Sequence, residues 1–331
     1  MSIRYKDTDY TYISARVRGM ENSLVGRDCL DRMIAAEDTD AAAAYLREYG
    51  LDLAGLNAAE REDVLTGALG EGISQIEKNA PSPEMFAFFR YPYDCSNIKS
   101  LIKCRIRNIS PDGMLFSIGS VSAEVLAENF ERNDFSCLPE NMARAAREAI
   151  EAYAKTKNPQ KIDFILDRAC FADMHSCAKK SGIAYISEIT GMRADLVNFM
   201  ISLRVLRMGM GAGADFGEAL VDGGKIGKDE FSDAVGQGEA ELYGLLAKKG
   251  YKKLSERLSV GCDLGYAEKL CDNERVQLIK KAKRVTFGIE IPIAYIAALE
   301  TEIQNVRIVL AGKDAKIPPE IIGERIRECY V

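Results

Sequence analysis

The 331-residue sequence predicts an all-α protein. Its long segments are rich in Ala, Leu, Glu, Lys and Arg and carry apolar residues at helical spacing, as in Ile13, Val17 and Leu24. The two-residue alternation typical of strands is scarce. Gly and Pro cluster at residues 108–120 and 208–224. Because Gly and Pro mark breaks between helices, these two stretches divide the chain into three helical parts.

A short sequence pattern occurs three times: an acid, two residues, an asparagine, and then apolar residues at helical spacing. The asparagines are 101 and then 107 residues apart. We call this the acid–asparagine pattern. Its three copies are Asp94 and Asn97, Asp195 and Asn198, and Glu302 and Asn305.

A second, weaker pattern precedes each asparagine by 72 to 79 residues and has apolar residues at offsets zero, five and nine. Its copies are Val25, Leu30 and Ile34; Val121, Leu126 and Phe130; and Ile226, Phe231 and Val235. Since the two patterns recur in the same order, we expect three homologous helical domains. Their predicted bounds are residues 1–112, 113–215 and 216–331.

The acid–asparagine pattern has a structural interpretation. Each asparagine shares a helix face with the apolar residue four positions later, so its amide faces the packed side and must be hydrogen-bonded there. Pro92 and Gly191 precede the acids of the first two copies and predict helix starts, where a carboxylate caps free amides. We therefore expect capping and one buried asparagine per repeat in preference to a catalytic role.

Cations follow each copy of the pattern. They compensate the C-terminal end of a helix dipole or form a solvated face in the favoured interpretation. In the alternative, they line a docking surface for an acidic or polar partner. The candidates for docking are Lys103, Arg105, Arg204, Arg207, Arg307 and Lys313, and Lys99 and Arg107 lie beside them.

No catalytic, cofactor or metal site is predicted. The single histidine, His175, lies between Cys170 and Cys177 at a spacing that matches no zinc site, and a shared buried helix face explains the two cysteines. The glycine-rich residues 209–217 lack the G-x-G-x-x-G spacing and follow a helix, so they predict a hinge. Neither a Walker lysine loop nor a G-x-S-x-G motif occurs.

Composition narrows the class of protein further. A net charge of −6 lacks the basic surface that nucleic acids require. The uncharged stretch at residues 291–299 contains Pro292 and is far shorter than the roughly 20 residues needed to cross a bilayer. Nine cysteines without a C-x-x-C pair fit reduced thiols of the cytosol. We expect a soluble cytoplasmic protein without a signal peptide or a lipid anchor.

Three segments resemble the C subunit of A/V-type ATPases, whose counterpart in the eukaryotic vacuolar enzyme is called the d subunit. The opening YISARVRGMENSL resembles the first helix of that family, and YPYDCSNIK resembles its internal asparagine pattern. The ending resembles the family as well. The three segments cover residues 12–24, 91–99 and 302–330.

The resemblance implies three similar helical domains in a funnel with pseudo-threefold symmetry and no active site of its own. It also implies a socket that receives a central shaft of D- and F-type subunits and is seated on the membrane proteolipid ring. A socket of this kind couples the shaft to the ring for transport of protons or sodium ions. It is a peripheral protein on the cytoplasmic side and binds no cofactor or small-molecule substrate.

Two other hypotheses stay open at this point. The first is a helical scaffold that binds proteins unrelated to rotary ATPases, although the common solenoids have repeats of only about 30 to 50 residues. The second is a helical enzyme whose site is built from Asp94, Asp195 and Glu302 meeting at the pseudo-threefold axis. Binding of a divalent metal would distinguish the enzyme from the scaffold and the socket.

Overall fold

The computed structural model describes residues 6–209 and 213–331. These residues form sixteen α-helices with short 3₁₀ turns between some of them, and they contain no strand, which confirms the all-α prediction. The helices are α1 Thr11–Met20, α2 Arg27–Ala35, α3 Thr39–Ala44, α4 Ala58–Asn79, α5 Tyr91–Arg107, α6 Ala123–Glu131, α7 Glu140–Thr156, α8 Gln160–Ser181, α9 Ala184–Arg207, α10 Ala214–Ala219, α11 Lys228–Gln237, α12 Glu239–Lys248, α13 Lys252–Leu258, α14 Leu264–Lys280, α15 Glu290–Asp314 and α16 Pro319–Arg325.

Several helices begin and end where the sequence supplies a cap. Asn57 accepts from the first amides of α4 while Glu60 reaches back to the Asn57 amide, which completes a capping box. Ser122 and Asp263 cap α6 and α14 by a single bond, each accepting one amide of the first turn with a side-chain oxygen. Local hydrogen bonding thus fixes where these helices start.

The chain packs into two compact units. Unit 1 is Met85–Gly261, and unit 2 combines the described residues up to Glu84 with Cys262–Val331. Neither boundary falls at residue 112 or 215. The division into three domains and the funnel arrangement therefore stay predictions.

Unit 1 is built on α8 and α9, the two long helices at its centre. After a short turn α8 packs along α7, which precedes it, and α5 and α9 pack on α8 as well. Helix α9 continues into contacts with α11 and α12, and α12 packs against α13. This arrangement places two of the three acid–asparagine patterns, on α5 and α9, in one unit.

Unit 2 surrounds α15, which contacts α1, α2, α3, α4, α14 and α16. Residues 291–299, the uncharged stretch of the sequence, are buried along their whole length. A helix that is apolar on every side belongs in the centre of a helical packing, as this one does. Within residues 6–209 and 213–331, no helix combines the length and hydropathy needed to cross a membrane.

Candidate functional site

The three asparagines of the pattern are buried, and each pairs with both backbone groups of a single residue in a later segment. The Asn97 Nδ2 donates to the Phe116 carbonyl at 2.8 Å, and the Phe116 N–H donates to Asn97 Oδ1 at 2.7 Å. The predicted burial of the three asparagines is thus confirmed. The same two bonds join Asn198 to Val221 at 2.8 and 2.8 Å, and Asn305 to Arg327 at 3.2 and 2.8 Å.

The acid of each pattern accepts hydrogen bonds from backbone N–H groups that lie just before the first residue of another helix. Asp94 Oδ1 accepts from the Val121 N–H at 3.2 Å, while Oδ2 accepts from the N–H of Ser120 at 3.1 Å and from its hydroxyl. Helix α6 begins two residues after Val121. The carboxylate therefore lies at the positive end of the α6 dipole.

The second and third acids do the same for α11 and α2. Asp195 accepts from the Ile226 N–H at 3.0 Å and from the Tyr251 hydroxyl at 2.8 Å. Glu302 accepts from the backbone of Val25, before α2. We call each acid, its asparagine and the segment they bind a clamp: the first is on α5, the second on α9 and the third on α15.

The three clamps connect the two sequence patterns. Val121, Ile226 and Val25 are the first residues of the three copies of the apolar pattern. The third clamp binds Arg327 and Val25 to the same helix, so it joins the C-terminal and N-terminal segments in unit 2. Each acid binds a different segment, and no binding partner is shared between clamps.

Two glycines make room for the clamps, and the sequence interpretation missed them. A Cβ on Gly119 would lie 2.3 Å from Asp94 Oδ1, and a Cβ on Gly224 would lie 2.0 Å from Asp195 Oδ1. A sequence signal was available, because both glycines stand two residues before a copy of the apolar pattern. Their role is to let a backbone approach a buried carboxylate.

The predicted helix starts need correction. Asp94 lies in the first turn of α5, but it binds amides of another segment, and Asp195 lies in the middle of α9. The predicted helix start at the second copy was wrong, because α9 begins at Ala184 and continues without a break through Gly191. Gly191 is buried within α9, where its missing side chain lets the Gly223 carbonyl approach.

The clamps differ in how completely their carboxylates are hydrogen-bonded. Burial raises the pKa of Asp94 and of Asp195, and hydrogen bonds to backbone N–H groups and hydroxyls oppose this rise. Burial raises the pKa of Glu302 to about 8, opposed by the single bond from Val25. Its Oε2 has no hydrogen-bond partner among the described residues.

Two predicted docking cations bind the ends of helices. Arg105 and Lys313 stand eight residues after their asparagines and donate to the carbonyls of Phe130 at 2.8 Å and Ile34 at 2.6 Å, in the last turns of α6 and α2. This is the helix-end interpretation of the cations. In the second copy Leu206 stands at this position, so the bond has no counterpart there.

The other cations form ion pairs or lie at the surface. Lys99 pairs with Asp167 at 2.6 Å, and Arg307 binds Glu62 at 2.6 Å. Arg107 and Arg204 are exposed. The docking role of these residues stays a prediction. The remaining pairs are Lys103 with Asp163 at 2.6 Å and Arg207 with Glu239 at 2.7 Å.

A cleft of about 580 Å³ opens in unit 1 between α5, α8 and α9. Half-buried Arg193 lies in its wall and forms no ion pair or hydrogen bond with the described residues. Met208 at its edge is 68% exposed. The apolar lining includes Phe164, Phe171, Met174, Val197, Ile201 and Val205.

The remaining candidates of the sequence lie outside this cleft or only touch it. His175 and Cys177 share α8 with Cys170, which lies at the cleft wall. The part of the chain that the structure describes holds no group of three metal-binding side chains. Residues 210–212 of the predicted hinge lie outside the described residues.

We expect Asn198→Leu to lower the free energy of unfolding by about 1–3 kcal/mol, because the backbone groups of Val221 lose their partners inside the core. Chemical unfolding followed by circular dichroism measures the change. Asn129→Leu is the matched control, since the half-buried Asn129 side chain makes no hydrogen bond with described residues. Equal stability of the two variants would contradict the bridging role of Asn198.

We expect Gly224→Ala to destabilise the protein by about 1–3 kcal/mol, because the added methyl group overlaps the Asp195 carboxylate and forces the second clamp apart. Gly236→Ala in α11 is the control. A Cβ on Gly236 meets no atom within 4 Å, and alanine favours a helix, so this variant should be as stable as the parent or more stable. The same unfolding measurement compares the pair, and a neutral Gly224→Ala would show that the clamp tolerates displacement.

Comparisons with known proteins cover nearly the whole chain. Residues 13–325 match the family model described as ATP synthase (C/AC39) subunit. The C subunit of the V-type sodium ATPase from Enterococcus hirae is 24% identical over 332 residues, which cover 97% of this chain and 99% of that protein. The C subunit of the A-type ATP synthase from Methanocaldococcus jannaschii is 23% identical, over 95% of this chain and 85% of that protein.

A further relative is the C subunit of the A-type ATP synthase from Desulfurococcus sp. strain SY, which is 22% identical over 97% of this chain and 92% of that protein. The resemblance seen in the sequence is thus confirmed across the chain and not only in three segments. The chain belongs to the C/AC39 family of ATP synthase subunits.

Proposed function

We propose that the protein is a non-catalytic socket in the central stalk of a rotary ATPase, coupling a rotating shaft to a membrane proteolipid ring. Family membership supports a place in such a complex and decides against a scaffold unrelated to ATP synthases. The socket is a peripheral protein on the cytoplasmic side, attached through the ring. Its partners are the D- and F-type shaft subunits and the ring.

The observation that carries the socket role is the cleft in unit 1. It is preformed, largely apolar and about 580 Å³ in volume, and its walls are helices held by the first and second clamps. A cleft between well-packed helices suits a surface that must transmit force, because such helices deform little under load. Shaft docking in this cleft is part of the proposal.

Charge in the cleft narrows the chemistry of the docking segment. Lys99 and Asp167 neutralise each other there, and Asp163 pairs with Lys103. Arg204 also lines the cleft, and Arg193 has no counter-ion among the described residues. A half-buried guanidinium without a partner favours an acidic group on the incoming segment. The shaft segment should therefore present apolar residues together with one carboxylate.

The enzyme hypothesis built on Asp94, Asp195 and Glu302 has little support from their surroundings. Asp94 and Asp195 use both of their oxygens in hydrogen bonds within their clamps, and Glu302 is buried with one oxygen bound to Val25. We infer that these residues hold the fold and perform no chemistry. The purified chain alone should hydrolyse no ATP.

Removing the protein from its complex tests the proposed function. In a strain that lacks the chain, the detached headpiece should still hydrolyse ATP, while ion transport across the membrane should stop because torque no longer reaches the ring. Both activities are measured in the same membranes and extracts. Loss of headpiece hydrolysis would place the chain in the catalytic machinery, and retained ion transport would make it dispensable for coupling.

The docking cleft is tested with Arg193→Glu. Charge reversal should weaken binding of purified D- and F-type shaft subunits on the order of tenfold or more, since the carboxylate of the docking segment would meet a like charge. Arg257→Glu on α13 is the control, because Arg257 is exposed and lies away from the cleft. Calorimetry compares the two affinities. Equal binding by the two variants would move the shaft site elsewhere.

A further inference from the structure

The third clamp differs from the other two in its chemistry. Its acid is a glutamate where the first two have aspartates, and Glu302 is 7% exposed. Both oxygens of Asp94 and of Asp195 are hydrogen-bonded. One oxygen of Glu302 accepts from Val25, and Oε2 has no partner among the described residues.

The space around Glu302 cannot replace the water that an ionised carboxylate needs. The adjoining cavity measures about 10 Å³, which is room for about one water molecule. Its walls come from both ends of the chain, including Leu24, Val25, Tyr330 and Val331. An ionised carboxylate with one hydrogen bond in such a place is unfavourable, and the neutral acid is not.

No positive charge among the described residues offsets this cost at Glu302. The titratable side chains near it are neutral thiols and phenols. Burial raises the pKa of Cys29 on α2 and of Cys329, and it raises the pKa of Tyr295 on α15 and of Tyr330 to about 12. These four groups therefore stay neutral near pH 7.

The charged side chains around this clamp act on its neighbours: Arg32 lowers the pKa of Cys29, and Arg27 and Lys280 lower the pKa of Cys329. Glu21 binds Arg18 at 2.8 Å and accepts from the Tyr330 hydroxyl at 2.9 Å. Glu302 is thus the group of this clamp that changes its charge between weakly acidic and weakly alkaline pH.

We propose that Glu302 is a proton-operated clasp: the protonated acid accepts the Val25 N–H three residues before Asn305, which holds Arg327 on the same helix, and loss of the proton loosens both chain ends. The N-terminal segment, with Val25, and the C-terminal segment, with Cys329 and Tyr330, both line the cavity beside Glu302. An uncompensated charge between them favours opening, because opening gives the carboxylate access to water. The clasp is independent of the socket role.

The direction of the pH effect follows from proton linkage. The folded-state pKa of about 8 lies above the usual 4.5, so the closed clasp binds more protons than the open one between these values. The stability that protonation contributes is complete below the lower value and is lost as pH rises through the higher one. The clasp is therefore tight in weak acid and loosest above about pH 8.

Hydrogen exchange read by mass spectrometry on the full chain tests the clasp. Between about pH 6 and pH 8, opening of residues 24–35 and 326–331 should increase by up to about 100-fold, which is tenfold per pH unit for one linked proton. Exchange times are scaled for the intrinsic pH dependence of amide exchange. The Ser120 and Val121 amides of the first clamp serve as the internal reference and should change much less.

Glu302→Gln separates proton linkage from general alkaline loosening. The amide has the shape of the neutral acid and cannot ionise, so residues 24–35 should stay equally protected at both pH values in this variant. Unchanged scaled protection in the parent protein would overturn the proposal, whatever the variant does. An equal rise in the variant and the parent would overturn it as well.

Discussion

The structure depends on one kind of interaction, a buried asparagine amide that pairs with both backbone groups of a single distant residue. Inside a protein an unpaired N–H or C=O is costly, so such a pair fixes position and direction at once. Asn97, Asn198 and Asn305 each hold a non-helical segment against a long helix in this way. Phe116 and Val221, which lie in the Gly- and Pro-rich parts of the sequence, are therefore each fixed by a pair of hydrogen bonds.

The charged residues beside the asparagine bind the two ends of one further helix. In the first clamp the acid binds amides before α6 and Arg105 binds a carbonyl at its end, so α5 and α6 run in the same direction. In the third clamp Glu302 and Lys313 do the same for α2. Opposite charges at the two ends agree with the helix dipole, and this explains why an acid precedes and a cation follows the asparagine in the first and third copies.

The three copies share the asparagine bridge and the bound acid, and the second and third copies differ from the first at particular residues. In the second copy Met200 and Leu206 stand where the other copies have cations, and α9 turns Val197, Ile201 and Val205 toward the open cleft. The third copy exchanges aspartate for glutamate and binds both chain ends. The proposed docking cleft and the proposed clasp thus both lie where a copy departs from the shared framework.

The sequence by itself determined the all-α class, the burial of the three asparagines and the family, because helical spacing and short motifs are local properties of the chain. It could not show that α9 continues through Asp195. A glycine such as Gly191 can end a helix or, as here, can lie within one and let another backbone segment approach. Only the tertiary structure decided which segment each clamp binds, where the compact units end, and that Arg193 lies in a cleft. Those features arise from groups far apart in the chain, such as Glu302 and Val25, whose proximity depends on how all the helices pack together.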